Sequence, residues 1–210
     1  MKIYFHLNLD GFSNCYVVTN ELTMEAILID PGIITKEILE QIEDGPFNLS
    51  AVLVTHNHAS HVRGLETIKK IYTPKIYAAD IDIAESEETI LKGDGIVKIA
   101  GMDVEYIAIP GHTADSLAYK IGRVVFTGDA ITTGIIGSTT SSYARKTLVT
   151  NLQTKIMSQL DDIILMPGHG PPGSVAAERK FNPAFNAKPA SRHLETSDTL
   201  PDSIPQRAKT

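Results

Sequence analysis

Short apolar segments rich in β-branched or aromatic residues recur along the chain. They predict nine strands, at Ile3–Leu7, Cys15–Thr19, Ala26–Asp30, Ala51–Thr55, Lys75–Ala78, Val104–Ile109, Leu117–Ile121, Val124–Thr127 and Ile163–Met166. Apolar residues at helical spacing predict three helices between the strands, marked by Ile38, Leu39 and Ile42, by Val62, Leu65 and Ile68, and by Leu148, Leu152, Ile156 and Leu160. Each helix has one apolar stripe that a sheet must cover. The pattern predicts a layered α/β architecture with sheets inside and helices outside.

Length and composition predict one catalytic domain followed by a tail. A chain of 210 residues with 42% hydrophobic residues can bury one core but is too short for two ordinary enzyme domains. From residue 187 onward the sequence is polar, contains Pro189, Pro201 and Pro205, and has no apolar period. We therefore expect a catalytic domain at residues 1–186 and a polar C-terminal tail at residues 187–210.

The net charge and the cysteine content indicate which kinds of partner and which cellular compartment to expect. The net charge of −6 provides no basic surface that would neutralise a phosphate backbone, so we expect no nucleic-acid partner. No apolar segment is long enough to cross a bilayer, and the N-terminal residues are typical of a first strand rather than a secretion signal. The single cysteine, Cys15, fits a reducing compartment. We expect a cytoplasmic protein that acts on a small molecule, with its oligomeric state left open.

Five of the seven histidines lie in three short motifs, and each motif follows a predicted strand. In the first motif, THNHASH, His56 and His58 lie in an extended stretch. Because alternate side chains of such a stretch point in the same direction, both imidazoles can contact one ion. His61 follows a turn and can approach that ion from a different side.

The other two motifs, PGHT and PGHG, each place a histidine after a Pro-Gly turn at a strand end, namely His112 and His169. Between them an apolar strand is followed by Gly128 and the carboxylate of Asp129. Each motif alone is ambiguous, but coincidence does not explain why all of these donors follow strands. Neutral imidazoles with a carboxylate suit zinc or iron, so the set predicts a metal site. The remaining histidines, in contrast, have no such context and are interpreted as structural and tail residues (His6 and His193).

These motifs resemble the signature of the metallo-β-lactamase superfamily, which has HxHxDH after a strand, then a GHT histidine, a GD aspartate and a final GHG histidine. The resemblance covers about residues 1–185. The ending PGHGPPGSVAAERKFNPAF is similar to the short glyoxalase II-like, or hydroxyacylglutathione hydrolase-like, members. The resemblance implies a four-layer αβ/βα sandwich with metals at the edge between two sheets. It also implies ligands for a first metal (His56, His58 and His112), ligands for a second (His61 and His169), and a bridge between them (Asp129).

The chain departs from this signature at Ser60, where HxHxDH has an aspartate. The family site balances two divalent ions with two carboxylates and a hydroxide, whereas one carboxylate is visible in these motifs. Because two nearby cations repel each other, the loss should weaken the second metal position more than the first. A single ion or an unequal pair is therefore plausible.

A second departure concerns glutathione. The segment GDAITTGIIGS is similar to the corresponding stretch of glyoxalase II, but Ser138 stands where a glutathione-binding lysine is expected. We also expect no counterpart of the helical C-terminal domain of full-length glyoxalase II, and both departures argue against glutathione specificity. Arg145 and Lys146 could attract an anionic substrate, although a solvated helix face is the simpler interpretation.

The resemblance implies a metal-dependent hydrolase that acts on an ester-like bond through a metal-activated water. A thioester or a lactone is the preferred substrate, and a phosphodiester stays open. Asp129 is the candidate that orients or deprotonates this water. Zn²⁺ is the expected cofactor, as one or two ions, with iron as the alternative. Two other functions stay open: a mononuclear iron enzyme similar to persulfide dioxygenases, which would use His56, His112 and Asp129, and a non-catalytic di-iron or zinc sensor of the same fold.

Overall fold

The computed structural model describes residues 1–186. The predicted tail at residues 187–210, including His193, lies outside the described residues, so its boundary stays a prediction. Within the described part, two β-sheets lie face to face and helices cover their outer surfaces.

The first sheet has five strands in the order β1-β2-β3-β4-β5, at Lys2–Leu7 (β1), Asn14–Asn20 (β2), Glu25–Ile29 (β3), Asn48–Leu53 (β4) and Lys75–Tyr77 (β5). The pairs β1–β2 and β2–β3 are antiparallel, whereas β3, β4 and β5 run parallel to one another. Parallel pairing brings the carboxyl ends of β3 and β4 to the same edge of the sheet. Asp30 follows β3 there, and His56 follows β4.

The second sheet has six strands in the order β13-β12-β9-β8-β7-β6, at Gly95–Ile99 (β6), Met102–Ala108 (β7), Leu117–Ile121 (β8), Val124–Gly128 (β9), Ile164–Pro167 (β12) and Gly173–Ser174 (β13). A separate hairpin consists of Ile131–Thr132 (β10) and Ile135–Ile136 (β11). Strands β7 and β9 are both antiparallel to β8, and β12 is parallel to β9. The carboxyl ends of β7, β9 and β12 therefore share an edge, where His112, Asp129 and His169 follow.

Residues 1–186 contain seven α-helices, of which the first five lie between strands and the last two follow β13: Lys36–Glu43 (α1), Ala59–Val62 (α2), Leu65–Ile71 (α3), Ile81–Ala84 (α4), Ser142–Asn151 (α5), Val175–Phe181 (α6) and Pro183–Asn186 (α7). A 3₁₀ turn at Glu87–Thr89 precedes β6, and a π-helical turn at Leu152–Ile156 continues α5. Side-chain oxygens of Thr35, Ser141 and Ser174 accept hydrogen bonds from backbone N–H groups in the first turns of α1, α5 and α6. These caps satisfy donors that a helix start leaves free, which explains where the three helices begin.

Three apolar layers hold the elements together. Between the sheets, side chains such as Tyr16 and Ile27 pack against Tyr119 and Phe126. The outer face of the first sheet packs on α1 and α3, and the outer face of the second packs on α5 and α6. Burial of each large aliphatic side chain is worth about 2 kcal/mol, so the layers provide the main driving force. The result is the predicted four-layer order of helix, sheet, sheet and helix.

Two predicted helices differ in detail. The helix expected around Val62, Leu65 and Ile68 is divided at Gly64, whose N–H donates to Pro31 O at 2.7 Å. The prediction that Leu160 belongs to the apolar stripe of the last helix was wrong. This residue is 70% exposed, because the helix ends with the π-helical turn before it.

The sequence prediction missed strand β6. It lies at the edge of the second sheet, and its alternate residues face solvent, with Ile96 68% exposed. It therefore lacks the continuous apolar run that marks the buried strands.

Candidate metal centre

The structure brings all six predicted side chains to the edge where the two sheets meet. Their donor atoms form two groups, and within each group these atoms lie within 4.8 Å of one another. We name them the first donor group (His56, His58, His112 and Asp129) and the second donor group (His61, His169 and Asp129). The groups share the carboxylate of Asp129.

In the first donor group, Nδ1 of His58 lies 2.9 Å from Nε2 of His56 and 3.2 Å from Nε2 of His112. Oδ2 of Asp129 lies 3.8 Å from Nε2 of His56 and from Nε2 of His112. A tetrahedral ion with bonds of about 2.1 Å separates its ligands by about 3.4 Å, and these distances bracket that value. Small rotamer changes suffice to place the four atoms around one ion.

In the second donor group, Nε2 of His61 lies 3.4 Å from Oδ1 of Asp129, and Nε2 of His169 lies 3.4 Å from Oδ2. Nε2 of His61 and Oδ1 of Asp129 are both buried and attract each other across this distance, but neither has a hydrogen-bond partner of good geometry within residues 1–186. Buried polar atoms are normally paired, because leaving one unpaired costs about 1–3 kcal/mol. A bound cation would satisfy both atoms, so the donor set fits a metal ion.

Backbone carbonyls orient two of the rings. Nδ1 of His112 donates to the carbonyl oxygen of Ser138 at 2.8 Å, and Nδ1 of His169 donates to that of Phe12 at 2.9 Å. With the proton on Nδ1, assigned from these contacts, the lone pair of Nε2 faces the site. Such contacts fix both the tautomer and the ring direction of a metal-binding histidine.

Asp30 is a functional residue that the sequence analysis missed. Its carboxylate is buried and accepts hydrogen bonds from Thr55 N and Thr55 Oγ1, both at 2.8 Å, and from Nδ1 of His61 at 3.2 Å. Since Thr55 Oγ1 donates to Asp30, it accepts from Nδ1 of His56 at 3.0 Å. Asp30 thus orients one histidine directly and another through a hydroxyl group. The signal was present, because Asp30 precedes a Pro-Gly pair at a strand end.

The pKa values of three donor residues, His56, His61 and Asp129, are shifted in different directions by their surroundings. Burial and then the nearby His61 lower the pKa of His56 to about 4. Burial acts to lower the pKa of His61, but Asp30 and Asp129 outweigh it and raise that pKa to about 10. Burial acts to raise the pKa of Asp129, but its interaction with His61 prevails and lowers the pKa to about 2. At neutral pH, His56 is therefore neutral, His61 is protonated and Asp129 is ionised.

We expect metal uptake by the second donor group to release about one proton per ion. Because the pKa of His61 is raised, a metal ion must displace a proton from this imidazole. The affinity of the second donor group for zinc should therefore rise about tenfold per pH unit between pH 7 and 9. His56 is already neutral and releases none. Calorimetric zinc titrations in buffers of different ionisation enthalpy measure the proton count, and uptake by His61 without proton release would contradict this expectation.

Gly168 leaves room for the shared carboxylate. A Cβ atom at this position would lie 2.4 Å from Oδ1 of Asp129 and 2.7 Å from Cε1 of His61. Gly168→Ala should therefore displace the carboxylate and weaken zinc binding at least about tenfold. The matched control is Gly173→Ala, whose nearest contact would be an ordinary 3.4 Å to Thr133 Oγ1. Competition with a chromophoric chelator measures both, and equal affinities would contradict the steric argument.

Strand β2 of the first sheet fixes the segment that carries His169. Nδ2 of Asn14 donates to the carbonyl oxygens of Pro167 at 2.8 Å and Gly170 at 2.7 Å, and the hydroxyl of Tyr16 donates to Pro167 O at 2.6 Å. These hydrogen bonds, two of them buried, connect the two sheets beside the site. The donor atoms from both sheets are therefore held in one rigid arrangement.

The fold and the two donor groups define a class of metal-dependent enzymes. Residues 9–169 match the Metallo-beta-lactamase superfamily, and the chain belongs to this family. The resemblance predicted from the motifs is confirmed, and the chain is an enzyme of the metallo-β-lactamase fold with a metal cofactor.

Three relatives illustrate the range of the family. Hydroxyacylglutathione hydrolase GloC of Haemophilus influenzae is 27% identical over 201 residues, which cover 83% of this chain and 93% of GloC. The probable polyketide biosynthesis zinc-dependent hydrolase BaeB of Bacillus velezensis is 34% identical over 136 residues, which cover 61% of this chain and 60% of BaeB. The crystal structure of ETHE1 from Myxococcus xanthus has a TM-score of 0.78 at 25% identity and covers 87% of this chain and 84% of ETHE1.

The described residues contain no helix that is long and apolar enough to span a membrane. Arg145 and Lys146 are exposed on α5, in agreement with the solvated face expected for them. The carbonyl oxygen of Ser138 accepts the hydrogen bond from Nδ1 of His112.

Proposed function

We propose that this protein hydrolyses an ester-like bond, with thioesters or lactones as the preferred substrates, by activating a water molecule at the metal centre. The observation that carries the proposal is the carboxylate of Asp129, which two histidine groups share and whose Oδ1 has no hydrogen-bond partner within residues 1–186. The metallo-hydrolase relatives support the same class of reaction.

We assign His56, His58 and His112 to a first ion, and His61 and His169 to a second, with Asp129 between them. Zn²⁺ is the proposed metal, because neutral imidazoles and one carboxylate suit its preference, although iron accepts the same donors. When bound, such an ion lowers the pKa of a coordinated water to about 7 and polarises a carbonyl oxygen.

The protein residues orient the reactants. Asp129 stays ionised through the neutral range because its pKa is about 2, so its carboxylate accepts a hydrogen bond from water rather than keeping a proton. Asp30 stays behind the donor groups and holds His61 and Thr55 in place. We therefore assign Asp129 to orientation of the attacking water and Asp30 to positioning of the ligands.

A second candidate, a mononuclear iron dioxygenase, has one specific observation in its favour. Nε2 of His56 and Nε2 of His112 are both 3.8 Å from the same oxygen of Asp129. Two histidines and one carboxylate in this arrangement can hold iron and leave positions open for oxygen.

Elemental analysis of protein purified without added metal tests the proposal. We expect one or two zinc ions per chain and hydrolysis of a simple thioester or lactone. One iron per chain, with oxygen consumption on glutathione persulfide and no hydrolysis, would establish the dioxygenase instead. Iron with a ligand-dependent spectrum and no turnover would indicate a sensor and contradict both enzymatic assignments.

A further inference from the structure

A cleft of about 470 Å³ opens directly beside two residues of the first donor group, His58 and His112. The cleft is lined by the turn at Pro110 and Gly111, which leads from β7 to His112, and by the first half of α5. The cleft therefore adjoins the place where the bond to be hydrolysed would lie.

Apart from the two histidines, His58 and His112, this cleft is lined by side chains that are uncharged at neutral pH. Its walls are formed by glycine, proline, alanine, threonine and one tyrosine, and no lysine, arginine, aspartate or glutamate lines it among the described residues. The hydroxyl of Thr113 is already hydrogen-bonded to Ser116 Oγ at 2.6 Å. The two cations of α5, Arg145 and Lys146, are exposed and lie outside the lining. Away from the metal centre, an anionic group in the cleft would therefore lose hydration without gaining a cationic side chain as a partner.

The shape of the cleft is fixed by direct packing of α5 on the turn before His112. A Cβ at Gly111 would lie 2.5 Å from Cβ of Leu148 and 2.8 Å from the carbonyl oxygen of Ala144. One helical turn further on, Nδ2 of Asn151 donates to Pro110 O at 3.1 Å. The α5 side of the cleft is therefore already in position before a ligand binds.

Tyr143 lies in the first turn of α5 and lines the cleft, yet 79% of its surface is exposed. Covering an aromatic ring with an apolar group is favourable in free energy, because the ring loses contact with water and gains dispersion contacts. Tyr143 is the one large aromatic side chain in the lining among the described residues. It can therefore favour an apolar group over an anionic one.

We propose that this cleft binds an uncharged, predominantly apolar substituent of the substrate and that Tyr143 is a specificity-determining residue. The inference rests on the proposed hydrolysis and specifies its substrate class, a thioester or lactone with a neutral apolar chain. A carboxylate-bearing substituent such as glutathione is disfavoured in the cleft, because no lysine or arginine lines it among the described residues.

Binding to the metal-free protein tests the cleft independently of catalysis. The probes are hexanamide and the monoamide of adipic acid, which have chains of equal length and differ by a terminal carboxylate. We expect hexanamide to shift the NMR signals of Thr113 and Thr147 and to bind at least about tenfold more tightly than the charged amide. Tyr143→Ala should weaken hexanamide binding about fivefold to tenfold, and Tyr143→Phe should retain it. Lys146→Ala, on the same helix but outside the lining, is the matched control and should have no effect.

Hydrolysis of two isomeric thioesters, S-hexyl thioacetate and S-ethyl thiohexanoate, then identifies which side of the bond enters the cleft. The preferred isomer should show a higher KM in Tyr143→Ala and an unchanged KM in Tyr143→Phe. Equal binding of the neutral and charged amides, or no effect of Tyr143→Ala on hexanamide, would overturn the inference. Selective hexanamide binding without hydrolysis of any ester would retain the cleft and refute the proposed reaction.

Discussion

Asp129→Asn should abolish hydrolysis and reduce zinc affinity in both donor groups. The carboxylate belongs to both groups, and an amide keeps its size but removes the negative charge that the cations need. Loss of an outer hydrogen-bond partner already costs a metal site about 10–100-fold in affinity, so loss of a shared ligand should cost more than about 100-fold. Metal content after dialysis and thioester turnover measure the two effects.

The control for this substitution is Asp103→Asn. The side chain of Asp103 is 71% exposed on β7 and lies 3.6 Å from Lys98, so the same chemical change there should leave metal content and activity unaltered. Thermal denaturation of the metal-free variants establishes that both are folded. If Asp129→Asn kept its zinc and its turnover, the shared carboxylate would not be a ligand, and the assignment of the site would be wrong.

The donor side chains could be predicted from the sequence because they share one local feature. Each lies in a short motif that follows an apolar strand, and a strand is recognisable from a few consecutive residues. His112 and His169 follow Pro-Gly turns, and Asp129 follows a glycine, so both the side chain and its place at a strand end are local. The direction of the strands then brings these ends to one edge, as the parallel relation of β9 and β12 does.

The contacts that orient the donors could not be predicted in the same way. His112 and His169 donate to backbone carbonyl oxygens. Because every residue has such an oxygen, no feature of the sequence marks the residues that provide them. Phe12 and His169 are also 157 positions apart. Asp30 differs from these carbonyl partners, because its position at the end of a strand can be recognised in the sequence. Its hydrogen bond with His61, however, could be known only from the fold. The cleft beside Tyr143 likewise depends on how α5 packs on Gly111.

Asp30 also changes the charge balance that the motifs suggested. The sequence motifs contain one carboxylate, whereas the structure places a second one 3.2 Å from Nδ1 of His61. This carboxylate offsets part of the positive charge in the second donor group without being a ligand. Two cations near His61 and Asp129 are still poorly compensated, because Asp30 acts through the imidazole ring.

Ser60→Asp should raise the zinc content from about one ion toward two per chain. Ser60 immediately precedes His61 in α2, and its backbone is held by Ser13 Oγ, which donates to Ser60 O at 2.9 Å. A Cβ at Gly32 would lie 1.9 Å from that oxygen, so the backbone here is closely packed and should keep its position when only the side chain changes. The added carboxylate supplies the charge and the oxygen ligand that the family signature has at this place.

The expected gain follows from the electrostatics of the second donor group. A unit negative charge about 4 Å from a cation contributes several kcal/mol at an effective dielectric constant near 20, so the second ion should bind at least about tenfold more tightly. Ser60→Asn is the matched control, since it has the size of aspartate without the charge and should leave the stoichiometry unchanged. Equilibrium dialysis followed by elemental analysis measures the ions per chain. A wild-type protein that already holds two tightly bound ions, with Ser60→Asp altering neither affinity nor stoichiometry, would refute the idea that the serine weakens the second position.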